Sequence, residues 1–237
     1  MTPEQLFGEL LAAEPARPFV TYYDEASGER TELSVRSLAN WVAKTHFLLI
    51  DELGLGTGDA AFVALPAHWI SVPAVLGCLT AGLALSTEPA AASVAFVAPS
   101  TADLARGVPD VYAVAPSSAA VGFGAAVPDG VSDYVVAVRP QADAWAGVRL
   151  VATPSDPGID ARSRAEVVTA TQARANELGI GHGTRSLSTR DWSGPSDWID
   201  TLLLPLSVGG SIVYVRNAPD EELVARRMQQ ERATARI

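Results

Sequence analysis

Short apolar runs alternate with helix-like stretches along most of the chain, and this alternation limits the fold more than any other feature. The run AAFVAL from Ala60 precedes a helical stretch from Trp69 to Gly82, and SVAFVAP from Ser93 precedes STADLARG. The same order returns from Gly147, where GVRLVAT precedes RAEVVTATQARANELG. Strands that alternate with helices predict a mostly parallel sheet with helices on both faces. We therefore predict a three-layer α/β fold.

The amino-terminal part of the chain predicts a hairpin followed by a helix. FVTYYDEASGERTELS, from Phe19, holds two β-prone runs around a Ser-Gly pair, which is typical of a hairpin turn. Ser34 can cap a helix in which apolar residues recur at spacings of three or four, or multiples of these, until Gly54. We treat residues 1–237 as one domain, with two lobes and a weak boundary in the Ala-, Gly- and Pro-rich segment 115–130 as the alternative.

Charge and cysteine content narrow the functional classes. A net charge of −10 argues against nucleic acid or an anionic membrane as a partner, because both would repel this surface. The single cysteine, Cys78, excludes an internal disulfide and suits a reducing compartment. The uncharged stretch 60–87 is interrupted by prolines and glycines, which disfavours a membrane helix. We expect a soluble, cytoplasmic protein, and three dispersed histidines predict no metal site.

Two passages resemble a known superfamily. LGLGTGDAAFVALP, residues 53–66, and LLLPLSVGGSIVYV, residues 202–215, are similar to helix-to-strand passages of the adenylate-forming superfamily, which includes acyl-CoA synthetases, nonribosomal peptide adenylation domains and luciferases. The order of elements resembles the N-terminal part of these enzymes over nearly the whole chain, which implies an AMP-binding-like domain. In length and sequence the chain also resembles a short actinobacterial family of uncharacterised proteins related to that domain.

The resemblance places the phosphate loop of these enzymes at TPSDPGID, residues 153–160. Full members use ATP to convert a carboxylate into an acyl-adenylate, and the loop holds the phosphates. Thr153, Ser155 and Gly158 keep the hydroxyl and glycine character of such a loop and are candidate ligand-binding residues.

Other features of this loop argue against phosphate binding. Pro154 and Pro157 each lack a backbone N–H, and the carboxylates of Asp156 and Asp160 would repel a phosphate. The loop contains no lysine, and the adenine, ribose and lid motifs of the family have no counterpart before Ile237. We predict no catalytic residue and no cofactor, and these residues argue against ATP, AMP and CoA, the ligands that the resemblance implies.

Two further places are candidates for ligand contact because they follow predicted strands. STRDWSGPSDWID, residues 188–200, offers Arg190, Asp191 and Trp192, and the alternative is a loop that only starts the next helix. His68 follows the strand that ends near Pro66, where clefts form in α/β folds, and the alternative is packing at a helix start.

The leading functional prediction is a catalytically incompetent binding or interaction module. One alternative is a minimal adenylate-forming or acyl-handling enzyme that needs a partner chain for its missing half, and another is a small-ligand sensor. The truncated face is expected to be covered by a homodimer or by a protein partner.

Overall fold

The computed structural model describes residues 1–115, 122, 127 and 129–237, and within them twelve strands form two sheets. In chain order the strands are β1 Pro18–Asp24, β2 Glu29–Ser34, β3 Ala60–Ala64, β4 Ala84–Ser86, β5 Val94–Val97, β6 Asp110–Ala113, β7 Ser132–Asp133, β8 Pro157–Ile159, β9 Arg162–Ser163, β10 Arg185–Ser188, β11 Ser211–Arg216 and β12 Ala235–Arg236. The α-helices are α1 Pro3–Ala13, α2 Val35–Phe47, α3 Ser71–Thr80, α4 Tyr134–Val138, α5 Arg164–Glu177, α6 Pro195–Trp198, α7 Leu204–Ser207 and α8 Glu221–Gln230.

Both sheets are mostly parallel. The first has the order β12-β10-β11-β1-β2 and the second the order β7-β6-β5-β3-β4-β8-β9. Among the strands of the described residues, only the β1–β2 pair and the β8–β9 pair are antiparallel. Three short 3₁₀ helices, Pro89–Ala91, Pro99–Ala105 and Trp145–Gly147, and two π turns, Leu48–Glu52 and Ile199–Leu203, complete the described secondary structure.

Alternate side chains of the strands face opposite layers. Val63 of β3 and Ile212 of β11 lie in one buried cluster with Val42 of α2, so helices fill the space between the two sheets. The outer face of the larger sheet packs on the 3₁₀ helix Pro99–Ala105, and the outer face of the smaller sheet packs on α8. The predicted α/β class, with mostly parallel strands and helices on both faces, is confirmed, and the structure divides the strands between two sheets.

The predicted helix from Ser34 is confirmed. The Ser34 hydroxyl accepts a hydrogen bond from the Ser37 backbone N–H at 3.1 Å, as expected of an N-cap. After α2 the chain continues as the π turn, and Gly54 follows with a φ of +67°, a conformation that suits glycine.

The predicted strand GVRLVAT, residues 147–153, is wrong. Among the described residues no backbone hydrogen bond reaches residues 149–152, and the strand beside β4 forms further along the chain, at β8. A β-prone run becomes a strand only where a sheet edge is open to it, and β8 already pairs with β4.

The suggested boundary at 115–130 falls mostly on residues 116–121, 123–126 and 128, which lie outside the described residues. In the part of the chain that is described, no helix has both the length and the apolar character needed to cross a bilayer.

Candidate functional site

A cleft of about 390 Å³ opens at the carboxyl ends of β3, β4 and β5 of the larger sheet and of β10 of the smaller sheet. Residues 62–66 of β3 and its following loop form the floor, and Thr87 after β4 and residues between 98 and 104 after β5 lie beside them. Residues 191–194, after β10 of the smaller sheet, and Trp198 of α6 close the other side. Binding clefts of α/β proteins typically lie at this end of the strands.

The cleft is lined mainly by apolar groups. Phe62, Leu65 and the two tryptophans, Trp192 and Trp198, supply most of the large side chains. The hydroxyl of Thr101 is not free, since it donates to the Ala64 carbonyl at 2.6 Å. Such a surface favours an apolar ligand over a highly charged one.

Asp191 lies at the cleft, and its carboxylate accepts three hydrogen bonds from the protein. Oδ1 accepts the Ala67 backbone N–H at 2.7 Å and the Trp192 N–H at 2.9 Å, and Oδ2 accepts the Arg216 guanidinium at 2.6 Å. The side chain therefore joins the loop after β3 to the end of β11, and it holds the two sheets together at the cleft.

Trp192 forms a rigid wall of the cleft. Its indole N–H donates to the Thr201 hydroxyl at 2.9 Å, and its ring meets Tyr214 edge-on at 6.1 Å. Pro205 has no N–H for the Thr201 carbonyl, and the Tyr214 hydroxyl donates to that carbonyl instead, at 2.8 Å. The π turn at Thr201 is thus tied into the support of Trp192.

Arg190, which was predicted as a ligand contact together with Asp191 and Trp192, is not among the residues that line the cleft. Its guanidinium donates to Asp197 and, at 2.8 Å, to Asp200, which also accepts from Arg174 of α5 at 3.1 Å. The Asp197 carboxylate in turn accepts the backbone N–H of Ser193 at 2.8 Å. Arg190 therefore holds the loop in place from behind.

His68 is buried against the hairpin, away from the cleft lining. Its ring centroid lies 4.2 Å from that of Tyr22, and Nδ1 accepts the Ile70 backbone N–H at 3.2 Å. The proton of the neutral ring is therefore on Nε2, which lies 3.5 Å from Glu29 Oε1. Burial lowers the pKa of His68 to about 4, so the ring is neutral at pH 7.

The loop that resembles a phosphate loop is closed by its own carboxylate. Asp156 Oδ2 accepts the Thr153 backbone N–H at 2.6 Å and the Thr153 hydroxyl at 2.9 Å. The Ser155 hydroxyl lies 3.0 Å from the Thr153 hydroxyl. These hydrogen bonds, first that of the backbone N–H, lower the pKa of Asp156, so the side chain stays ionised near neutral pH. The two Thr153 donors and the Ser155 hydroxyl are therefore bonded within the loop.

The amino end of α5 is closed in the same way. The Arg164 and Ala165 backbone N–H groups donate to the Asp156 and Pro154 carbonyls, each at 2.9 Å. Gly158 is buried directly against α5, where a Cβ atom would lie 3.1 Å from Arg164 Cα. The close approach explains the glycine without a ligand.

Asp160 ends the strand β8 in a left-handed conformation, with φ 49°. Its carboxylate accepts the Thr87 backbone N–H at 3.1 Å. Both loop aspartates thus bond to the protein itself.

Sequence reasoning placed Trp192 and Asp191 at the right end of the sheet but missed the opposite wall. Ser100, Thr101 and Leu104 line the cleft after β5, and Trp198 of α6 also lines it. The usable signal was the predicted strand SVAFVAP, since every parallel strand delivers its next residues to the same edge. Within the described residues no group of three or more His, Cys, Asp or Glu side chains could hold a metal ion.

Comparisons with known proteins agree with this architecture. No protein-family model matches the sequence. A Mycobacterium tuberculosis (strain ATCC 25618 / H37Rv) protein called "TIGR03089 family protein" is 36% identical over 245 residues, and the match covers 98% of each chain.

Solved structures of larger enzymes share the fold over 100% of this chain. Acetoacetyl-CoA synthetase from Streptomyces lividans superimposes with a TM-score of 0.79 at 18% identity, and Brucella canis acyl-CoA synthetase with 0.79 at 15%. The anthranilate CoA ligase AuaEII, solved in complex with anthranoyl-AMP, gives 0.75 at 11%. The chain spans 42%, 47% and 49% of their respective lengths.

Proposed function

The chain belongs to the TIGR03089 family and has the fold of adenylate-forming enzymes, and we propose that it is a catalytically incompetent relative that binds a small organic ligand. The binding site in this proposal is the cleft beside Trp192. The protein then acts as a ligand-binding module and does not form an adenylate.

The main support for catalytic incompetence comes from the loop 153–160. An adenylate-forming site holds the developing charge on ATP with preorganised donors and cations. Here the Thr153 donors are taken by Asp156, and the loop contains two carboxylates and no lysine. A phosphate would have to displace an ionised carboxylate from its own hydrogen bonds and then lie beside it, which is electrostatically unfavourable.

The cleft supports the binding part of the proposal. Its volume of about 390 Å³ lies within the range of small-molecule sites, and its walls are apolar. Trp192 is held by the Thr201 hydroxyl and Asp191 by Arg216, so the walls are fixed before a ligand arrives. A preformed site avoids the entropy cost of ordering loops on binding.

We expect the purified protein to show no carboxylate-dependent exchange of labelled pyrophosphate into ATP above a no-protein blank. We expect the same result with every carboxylic acid of a broad panel, because the unfavourable residues lie in the loop 153–160, where the phosphates of ATP would bind whichever acid is used. Asp156→Ala is expected to stay at the blank as well, since removal of one carboxylate supplies no lysine and leaves both prolines in place.

Exchange that exceeds the blank and is lost in Thr153→Ala and Ser155→Ala would contradict the proposal that the protein is catalytically incompetent. The minimal-enzyme alternative, with a partner chain for the rest of the site, would then lead. Exchange that survives both substitutions would come from a contaminating enzyme.

A second candidate role, self-association, has its own observation. Leu150 and Val151 are 36% and 57% exposed, and residues 149–152 make no backbone hydrogen bond to any other described residue. An exposed, β-prone, unpaired apolar run is a surface that another chain can cover. We propose that a second copy of the chain covers it.

We expect Val151→Glu to convert a dimer to a monomer in light scattering at micromolar concentration, because it places a charge in the apolar contact. Val136→Glu is the matched control, since Val136 is also exposed, at 62%, but lies on α4. A wild-type protein that is already monomeric, or a dimer that only Val136→Glu dissociates, would contradict this proposal.

A further inference from the structure

We infer that the cleft selects an electrically neutral ligand, so that a carboxamide or alcohol binds in it more tightly than the carboxylic acid or amine of the same shape. The inference rests on the proposed binding function and specifies the chemical class of its ligand. Its basis is the set of charges and free hydrogen-bonding groups along the cleft.

The cleft offers an anion no counter-charge. Among the described residues that line it there is no lysine, arginine or histidine. Arg190 points to Asp197 and Asp200, and His68 is neutral and packed against Tyr22. An ionised carboxylate that enters would lose its hydration without gaining an ion pair, which disfavours its binding.

The cleft also gives a cationic ligand little electrostatic attraction. Asp191 is the single ionisable side chain among the described lining residues, and Arg216 already neutralises it at 2.6 Å. Its Oδ1 atom also accepts the backbone N–H groups of Ala67 and Trp192. Three of its acceptor positions are used and Arg216 balances its charge, so an amine gains little from this half-exposed carboxylate.

Neutral polar groups, in contrast, find a partner. The Ser100 hydroxyl lines the cleft and makes no hydrogen bond to another described residue. It can donate to a ligand carbonyl or accept from an amide or hydroxyl group. The hydroxyls of Thr101 and Ser193 are used, by Ala64 and Asp197 respectively. One free hydroxyl at the exposed rim of an apolar cleft suits a ligand with one neutral polar end.

The test is a titration of the wild-type protein with two matched series, hexanamide, hexanoate and hexylamine, and benzamide, benzoate and benzylamine. Binding is followed by ligand-observed NMR and by the tryptophan fluorescence of the protein, to which Trp192 and Trp198 of the cleft contribute. We expect the amide to bind at least about tenfold more tightly than the acid and the amine in at least one series.

A substitution at the rim of the cleft tests the inference through a gain in affinity for the acid. Leu104 lines the cleft and is 56% exposed, so Leu104→Lys adds an ammonium group without opening the core. We expect this variant to bind the acid more tightly than the amide. Leu178→Lys is the matched control, because Leu178 is 39% exposed and lies outside the cleft, and it should keep the wild-type order.

The outcomes separate the two claims. If the wild type binds the acid or the amine as tightly as the amide, and Leu104→Lys alters that binding, the cleft is the site and the neutral preference is wrong. If no compound binds, or binding is the same in Leu104→Lys and the wild type, the cleft is not the site, and the proposed function fails together with this inference. Unfolding curves of both lysine variants confirm that they are folded.

Discussion

Glu4→Ala is expected to lower the free energy of unfolding by about 3–5 kcal/mol, because it leaves Arg164 as an unpaired charge in the interior. The Glu4 and Arg164 side chains are 1% and 0% exposed, and Arg164 Nη1 lies 2.7 Å from Glu4 Oε2. The guanidinium also donates to the carbonyls of Leu79 and Leu83 at 3.0 and 2.9 Å. The pair therefore fastens α1 and α5 to the end of α3, between the two sheets.

Urea unfolding of Glu4→Ala beside Glu9→Ala measures this effect. Glu9 lies on the same helix but is exposed, so its replacement should change the unfolding free energy by less than about 0.5 kcal/mol. Equal effects of the two substitutions would show that the buried pair contributes nothing to stability.

A double replacement, Glu4→Met with Arg164→Leu, distinguishes an unpaired charge from lost packing. Glu4 Oε1 and Arg164 Nε are buried without a hydrogen-bond partner among the described residues, so the pair is incompletely satisfied. Apolar side chains of similar size often replace such pairs without loss of stability. We expect the double variant to recover most of the stability that Glu4→Ala loses.

Local rules predicted those elements whose ends are marked in the sequence. Ser34 and the apolar spacing after it define α2, and the Ser-Gly pair defines the hairpin. The same rules would have found α1, which was missed, because Thr2 and Gln5 form a capping box around Pro3.

Strand pairing between segments that are far apart in the sequence could not be predicted from such local signals. The run at 147–153 has strand composition, but the neighbouring edge is occupied by β8, and nothing local records that. Two sheets in place of one likewise follow from which strands pair, since β1 pairs with β11, far along the chain.

In the candidate site, too, some features could be predicted from the sequence and others depend on contacts between distant residues. The position of Trp192 after a strand was enough to place it at the cleft, whereas the direction of the Arg190 side chain depends on Asp197 and Asp200. Residue types alone showed that the loop at 153–160 is a poor phosphate site. The hydrogen bonds from Thr153 to Asp156 depend on the folded geometry of the loop, which residue types alone do not define.

His68 should make the fold sensitive to mild acid. Burial lowers its pKa to about 4, whereas an unfolded histidine has a pKa of about 6.5. The unfolded chain therefore takes up the proton first as the pH falls. The stability contribution is complete above about pH 6.5 and is lost progressively between pH 6.5 and 4, by about 2 kcal/mol at pH 5 relative to pH 8.

Comparison with His68→Asn isolates this contribution from other groups that titrate nearby. Burial raises the pKa of Glu29, which acts in the opposite direction, and burial lowers the pKa of His46, which acts in the same direction. Both residues are present in the variant and the wild type, so the effect of His46 cancels in the difference, and that of Glu29 cancels except for its coupling to the His68 ring 3.5 Å away. Asparagine can still accept the Ile70 N–H through its side-chain oxygen, which preserves the start of α3.

Urea unfolding at pH 8 and pH 5 should show a wild-type loss about 2 kcal/mol larger than that of His68→Asn. The variant is expected to be less stable at pH 8, because a smaller side chain leaves the ring of Tyr22 without its neighbour at 4.2 Å. His182→Asn is the control, since His182 is exposed, and it should keep the full wild-type pH dependence. If wild type and His68→Asn lose equal stability between the two pH values, His68 is not held neutral by burial, and the packing against Tyr22 must open readily enough to admit water.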